Sequence, residues 1–486
     1  MITVPESLGA FFMKNPFKSV KEMDMTSGNL FWKIGLFALP MALTSILQLL
    51  YTTVDLISVH FWGGGQSSAS SISANGSLIN LIVVVFTSLS LGANVAIGNA
   101  KGAGNREHAQ KVMHTSLLFS LVVGVVIGIA GFFSSRFFLE LIKTEAAYLD
   151  NATTYMQIYF LGLPLLMVYN YGAQIHRAVG NSATPFLSLF LAGLLNVLFD
   201  FVFVYFVRLD VAGVAWATII SEGASAILVV LPLFCKHSGY LHASFKELRF
   251  DRSSVVEIVK LGLPAGLQGF FFALPNTFIQ SALYTIAKDM PNSIDVEDGA
   301  IAANSINNYC YAFVEAISAA CLAMTAQNYG ARKKNNILKA FWYAQAWNLL
   351  FNAFYSLLIF FAHDALLSLF VDSDNAISLQ AGWERLMIVG FTYALDGIMD
   401  ICSSALRGIR RSATPMWVTM LTCCVFRIAM IELLILRVDY FKTVFWLYSV
   451  YPFSWILADI ADGICLSLVY RKVLPGLDKQ PGNLAA

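Results

Sequence analysis

Apolar residues run along this chain in blocks of about 20 or more, parted by short polar segments, and such blocks are long enough to cross a bilayer's hydrocarbon. The pattern predicts twelve membrane-spanning helices. Spans 1 to 6 lie near 34–62, 72–98, 112–133, 152–175, 185–207 and 211–234. Spans 7 to 12 lie near 256–287, 299–327, 337–362, 378–406, 415–437 and 443–470. Several blocks exceed what the bilayer requires, so tilted or bent helices are expected. Pro40, Pro164, Pro264 and Pro275 fall inside or near the starts of blocks, where a kink is tolerated. The pattern describes an all-α polytopic membrane protein.

The polar segments set the orientation. Lys and Arg gather in the N-terminal segment, in the loops after spans 2, 4, 6, 8 and 10, and in the tail. The first loop on the other side, "GGGQSSASS", has none, and acids concentrate there in "KDMPNSIDVEDG". Basic residues stay on the cytoplasmic side, so both termini are expected in the cytoplasm and the chain in the plasma (inner) membrane. Residues 1–33 contain "KNPFKSVKEMDMTSGN" and no apolar run ending in a cleavage site. They read as a cytoplasmic lead-in, not a signal peptide. Residues 471–486 read as a cytoplasmic tail.

The blocks also repeat. "SATP" ends at Pro185 in "RAVGNSATPFLSLF" and at Pro415 in "LRGIRRSATPMWVT". "KIGLFALP" ends at Pro40 and "VKLGLP" at Pro264; "ISANGS" around Asn75 matches "IAANSI" around Asn304. "GNAKGAGNREHAQKV" around Gly102 matches "QNYGARKKNNILKA" around Gly330. In chain order these pairs are offset by 224, 229, 228 and 230 residues, which agrees within loop insertions. The chain therefore reads as a duplicated six-span unit. It has an N-lobe at 34–234, a cytoplasmic linker at 235–255 and a C-lobe at 256–470. Six is even, so both halves enter the membrane in the same direction, related by an axis along the membrane normal. Transporters that rock one lobe against the other use this plan. Gly102 and Gly330 should then be structural equivalents.

Composition narrows the function class. Of the 486 residues, 57% are hydrophobic and 13% charged, with a mean hydropathy of +0.66, against about 25% charged in soluble domains. A net charge of +1 leaves no basic face for nucleic acid. Cys235, Cys310, Cys321, Cys402, Cys423, Cys424 and Cys465 show neither CxxC nor Cys/His metal spacing and mostly lie in apolar runs, where Cys acts as a small hydrophobe. Neither HExxH nor GxSxG occurs, which speaks against an embedded enzyme. "GNAKGAG" and "YGARKKNN" lack the signature and strand of a phosphate loop. No cofactor is implied.

Acids inside spans are costly and point to function unless paired. "YTTVD" places Tyr51 and Asp55 on one face of span 1, "NVLFD" places Asn196 and Asp200 on one face of span 5, and "TIISE" does the same for Thr218 and Glu222 on span 6. Three helices each offering a carboxylate beside a neutral oxygen can form a hydrophilic pocket. It can hold a proton shared between carboxylates or a hard cation such as Na⁺. The plainer reading is that each acid hydrogen-bonds a neighbouring helix.

With these residues the chain resembles the MATE (multidrug and toxic compound extrusion) transporters over essentially its whole length. The resemblance rests on "LPMALTSILQLLYTTVDLISV", "GNAKGAGNREHAQKV", "RAVGNSATPFLSLFLAGLLNVLFDFVFVY", "VAGVAWATIISE" and "SALRGIRRSATP" in that order. It implies two six-helix bundles around a central cleft and export of organic, often cationic compounds in exchange for H⁺ or Na⁺. It also implies an N-lobe cation site at Asp55, Asn196, Asp200 and Thr218, completed by Tyr51 and Tyr155. Another branch of the family relies on an acid in span 7 and an Asp in span 10. Here the span 7 position is Phe272, whereas the span 10 Asp survives as Asp396, with Asp400 one turn on and Glu315 midway along span 8. This departure suggests a second, reorganised acidic patch in the C-lobe, for which a structural hydrogen-bond network is the alternative. The partners expected are the bilayer and a small organic substrate, with the monomer as the functional unit.

Other marked residues read as structural. Arg427 and Glu432 on span 11 and Asp459 and Asp462 on span 12 are expected to pair or to lie near helix ends. Arg177, Arg407, Arg410 and Arg411 are expected to hold helix ends at the headgroups, and His60, His114 and His176 to lack a switching role. Some aromatic residues in the cleft can hold flat cations by cation–π contact. A flippase for lipid-linked oligosaccharides, the main rival reading, favours a cleft lined by several Arg or Lys, whereas the charges within these spans are nearly all acidic.

Overall fold

The computed structural model describes residues 22–142, 144–235, 239–288, 290 and 292–478. Most of the expected cytoplasmic lead-in, the end of the tail and linker residues 236–238 lie outside the described residues. Helices occupy every predicted block, and no strand occurs among the described residues. Span 1 is Leu30–Trp62, span 2 is Gln66–Leu89 continued by Leu91–Gly102, span 3 is Arg106–Leu141 and span 4 is Ala146–Ala178. Spans 5 and 6 are Ala183–Phe206 and Asp210–Phe234. Spans 7, 8 and 9 are Arg252–Ala287, Ser293–Gly330 and Lys334–Leu367. Span 10 is Ala376–Gly390 followed by Tyr393–Gly408, span 11 is Ala413–Ile435 and span 12 is Val444–Leu477.

The helices start earlier than the apolar runs because polar caps add a turn. Asn105 accepts from the His108 amide at 3.0 Å at the head of span 3, and Asp251 accepts from the Ser254 amide at 2.8 Å at the head of span 7. Each satisfies an amide that the helix leaves without an internal partner.

Proline does not account for every bend. Span 10 breaks by 41° between its two halves, after a π-helical turn at Leu386–Gly390. Spans 5 and 11 end in π-helical segments, Phe201–Phe206 and Met430–Ile435. Such turns take up an extra residue and redirect a helix without any proline.

The duplication is visible in the backbone. Gly104 has φ +72° and Arg332, 228 residues later, has φ +58°; Gly180 has φ +86° and Arg410, 230 later, has φ +68°. Both halves thus place a left-handed residue at the same two turns. The seam between lobes is reciprocal. Gly102, the last residue of span 2, packs against the carbonyl of Gln327, while Gly330, the last residue of span 8, packs against the carbonyl of Asn99. Asn99 Nδ2 donates to the Gly408 carbonyl at 3.2 Å, and Gln327 Nε2 donates to the Ala178 carbonyl at 2.8 Å. Gly102 and Gly330 are equivalents, as expected, and both helices run the same way into the seam. On this linker-bearing end, Glu257 also takes His108 at 2.9 Å across the lobes and Arg410 at 2.7 Å within its own lobe. Gly262 and Gly92 bring spans 2 and 7 together, each against a backbone carbonyl of the other helix. Farther from this end the lobes flank a cleft with cavities of about 500 and 650 Å³.

Candidate cation site and central cleft

Spans 1, 5 and 6 bring Asp55, Asn196, Asp200 and Thr218 together inside the N-lobe. Asp55 is 7% exposed, Asn196 4% and Asp200 0%. Thr218 Oγ1 lies 3.4 Å from Asp55 Oδ2 and 3.0 Å from the Val214 carbonyl, so its one proton has two acceptors. Asp200 and Asn196 neighbour the same carboxylate. Oδ1 of Asp55, Oδ1 of Asn196 and both Asp200 oxygens are buried with no hydrogen-bond donor. Two carboxylates packed in this way repel unless a proton or a cation lies between them. The set of oxygens suits either a proton or a hard monovalent cation. Among the described residues, no group of three or more His, Cys, Asp or Glu side chains is arranged to hold a metal ion.

The 500 Å³ cavity beside this pair is lined by Tyr51, Asp55, Tyr155, Asn196, Thr218 and Glu222, among others. Asp200 is fully buried and not part of the lining. Tyr51 donates its hydroxyl to the Leu189 carbonyl at 2.9 Å, so it forms a fixed wall with its proton aimed away from the carboxylates. Tyr155 stacks with Tyr159 at 6.5 Å.

The C-lobe candidates divide. Asp396 is fully buried in the first turn after the break in span 10. Asp400, one turn on, lines a smaller cavity between the lobes. Glu315 borders that cavity and both larger ones, and its Oε2 accepts from Ser45 Oγ at 3.3 Å across the cleft. Phe272 stacks on Tyr311 at 6.4 Å.

Two expectations need correction. Arg177 and Arg407, expected at the headgroups, instead line the smaller cavity with Gln174, Gln268, Glu315 and Asp400; Arg407 Nη2 donates to Gln268 Oε1 at 2.7 Å. Their offset, 407 − 177 = 230, matches that of the two SATP prolines and was the signal for a paired position on the axis. Arg427 neither pairs with Glu432 nor lies at a helix end. It is wholly buried mid-span, with Nε donating to Ser454 Oγ at 2.7 Å. The structural reading of the histidines holds for two of them: His176 Nε2 meets the Val229 carbonyl at 2.9 Å, and His114 Nε2 accepts from the Ser244 amide at 3.0 Å.

Comparison with known proteins agrees with this architecture. A family model named MatE matches residues 40–202 and 298–431. The chain is 31% identical over 253 residues to a probable multidrug resistance protein, YpnP, of Bacillus subtilis, covering 51% of this chain and 55% of that one. It is 25% identical over 398 residues to a second probable multidrug resistance protein of that organism, YoeA, covering 80% of this chain and 83% of that one. Among solved structures, an outward-facing multidrug resistance MATE family transporter of the MOP superfamily matches with a TM-score of 0.82 at 22% identity, covering 95% of this chain and 100% of that one. With twelve spans in two like-directed bundles around a shared cleft, the chain belongs to the MatE family of membrane transporters.

Proposed function

We propose that this transporter is a secondary antiporter that exports an organic, cationic and amphipathic compound in exchange for H⁺ or Na⁺. The observation that carries the reading is the buried Asp55–Asp200 pair, with Asn196 and Thr218, beside a cavity in the cleft. Such a pair favours a bound cation in one lobe arrangement over another, and only differential affinity of this kind can drive a conformational change. Asp55, Asp200, Asn196 and Thr218 supply the oxygens for the ion. Tyr51 and Tyr155 wall the site, and Glu222 offers a further carboxylate on the cavity surface.

The substrate reading rests on the 650 Å³ cavity, whose lining includes Tyr311, Tyr393 and Glu315, while its Phe272, Tyr451 and Trp455 rings already face Arg427. Aromatic faces beside a carboxylate suit a flat organic cation. With both termini in the cytoplasm, the seam at the linker end closes the inner side, which suits a state ready to release substrate outward. The chain acts as a monomer in the plasma membrane.

The test is uptake of a fluorescent cationic dye into inverted vesicles under separately imposed proton and sodium gradients. Stimulation by one gradient supports antiport and names the ion. Uptake indifferent to both gradients overturns it.

A further inference from the structure

Arg177 of span 4 and Arg407 of span 10 line one cavity between the lobes, about 190 Å³ in volume. They are repeat equivalents, so each lobe contributes one basic group to the same space. Both are half-buried, and Nε of each is buried with no hydrogen-bond acceptor. Arg407 is held in place: its Nη2 donates to Gln268 Oε1 at 2.7 Å, and Gln268 Nε2 donates in turn to Ser403 Oγ at 3.1 Å. In the other lobe Gln174, one turn before Arg177, accepts from Asn94 Nδ2 at 2.8 Å. Glu315 and Asp400 also line the cavity, yet among the described residues neither forms an ion pair with either arginine. The space thus gathers two basic and two acidic side chains that do not pair with one another directly. It is small for a whole organic compound, and it shares Phe272, Tyr311 and Glu315 with the 650 Å³ cavity. It is a side chamber of that cavity.

A guanidinium stays charged at any physiological pH and presents a fork of N–H donors that fits two oxygens of a carboxylate or phosphate. Half out of water and without an ion pair, it gains most from a ligand that brings those oxygens. Glu315 and Asp400 work against a simple anion in the same chamber, so the fit is to a ligand that carries both signs. We infer that Arg177 and Arg407 form an oxyanion subsite of the cleft, and that the exported compound bears a carboxylate or phosphate as well as its cationic group. The acid group enters the side chamber with one arginine from each lobe, while the cationic, apolar body occupies the larger cavity beside Glu315 and Tyr311. The substrate class narrows from organic cations to zwitterionic amphiphiles. The inference rests on the reading of the cleft as the substrate path.

The experiment measures binding of two dyes to the purified full-length protein in detergent: a rhodamine with a free carboxylate, and its methyl ester. Wild type should bind the acid form about tenfold tighter, the order expected of one charge-assisted hydrogen bond. Arg177→Gln and Arg407→Gln should each remove most of that preference. Where a glutamine variant yields no folded protein, Arg177→Lys or Arg407→Lys takes its place: lysine keeps the charge, loses the fork, and should reduce the preference. Equal affinity of wild type for the two forms, binding of neither form, or a loss in the variants that is the same for both forms overturns the inference. Competition separates the sources of the oxyanion. Whichever of acetate and inorganic phosphate displaces the acid form at the lower concentration names the preferred group, whereas displacement by phosphatidylglycerol micelles alone gives the arginines to a lipid headgroup and overturns the assignment to substrate. Gradient-driven uptake of the ester tests the antiport reading separately: its absence beside a retained acid preference overturns antiport while the subsite stands.

Discussion

Gly193 and Tyr51 share one volume: a β-carbon added to Gly193 would fall on the Tyr51 ring. The glycine lies one turn after Leu189, whose carbonyl holds the Tyr51 hydroxyl, so span 5 both anchors the tyrosine and yields space to it. Gly193→Val should push Tyr51 into the N-lobe cavity and cost about 1–3 kcal/mol through overpacking. Transport should fall with it. Thermal unfolding and dye transport read the two effects, and Gly193→Val/Tyr51→Ala should regain stability. A Gly193→Val protein with wild-type stability means that the wall is softer than this packing implies.

Asp55→Asn should abolish gradient-driven transport and leave the fold intact. The substitution keeps the shape and removes a buried charge, so stability should hold or rise. Asp396→Asn should lower affinity or alter substrate range while coupling is retained. Dye transport in reconstituted vesicles, with substrate binding assayed in parallel, separates the two. Coupled transport by Asp55→Asn beside an inactive Asp396→Asn would move the coupling ion to the C-lobe.

Gly102→Val and Gly330→Val should each open the seam at the linker end, because a side chain at either position meets a backbone carbonyl that has nowhere to move. Labelling of a single Cys at position 99 or 327 by a membrane-impermeant thiol reagent, applied from the linker side, should rise several-fold in both valine variants. Equal labelling with and without valine would show that the seam tolerates the insertion.

Arg332→Gly should stabilise the protein by about 1 kcal/mol, since a non-glycine residue in the left-handed region costs roughly that much. The gain should appear as a raised melting temperature with unchanged transport. Arg410→Gly makes the contrast: it relieves the same backbone cost but loses the 2.7 Å bond to Glu257, so its gain should be smaller or absent.

The spans, the duplication and the N-lobe cluster were legible because each leaves a periodic or positional trace. Hydrocarbon sets the length of an apolar run, repeats keep their offsets, and Asp55, Asn196 and Asp200 recur at helical spacing with neutral oxygens. The break in span 10 left no such trace. It comes from a π-helical turn, which depends on packing and carries no proline. Arg177 and Arg407 misled because they adjoin inner loops, where arginines usually meet headgroups, yet the two-fold axis turns them inward. Arg427 read as a charge paired with Glu432 or near a helix end because the aromatic rings that receive it come from spans 7 and 12, far away in sequence.

In the seam, Gly102 touches the backbone beside Gly330's own helix end, and Gly330 returns the contact. That reciprocity is how two identical subunits meet across a two-fold axis. The closed face thus has the form of a homodimer interface written into one chain, with residues 235–255 as tether. Coexpression of the halves as separate polypeptides should therefore restore the seam. It also explains how the lobes could part company chemically: a self-matching interface constrains only the residues that lie on it. Deeper in each bundle, the N-lobe holds Asp55 beside Asp200 while the C-lobe buries Arg427.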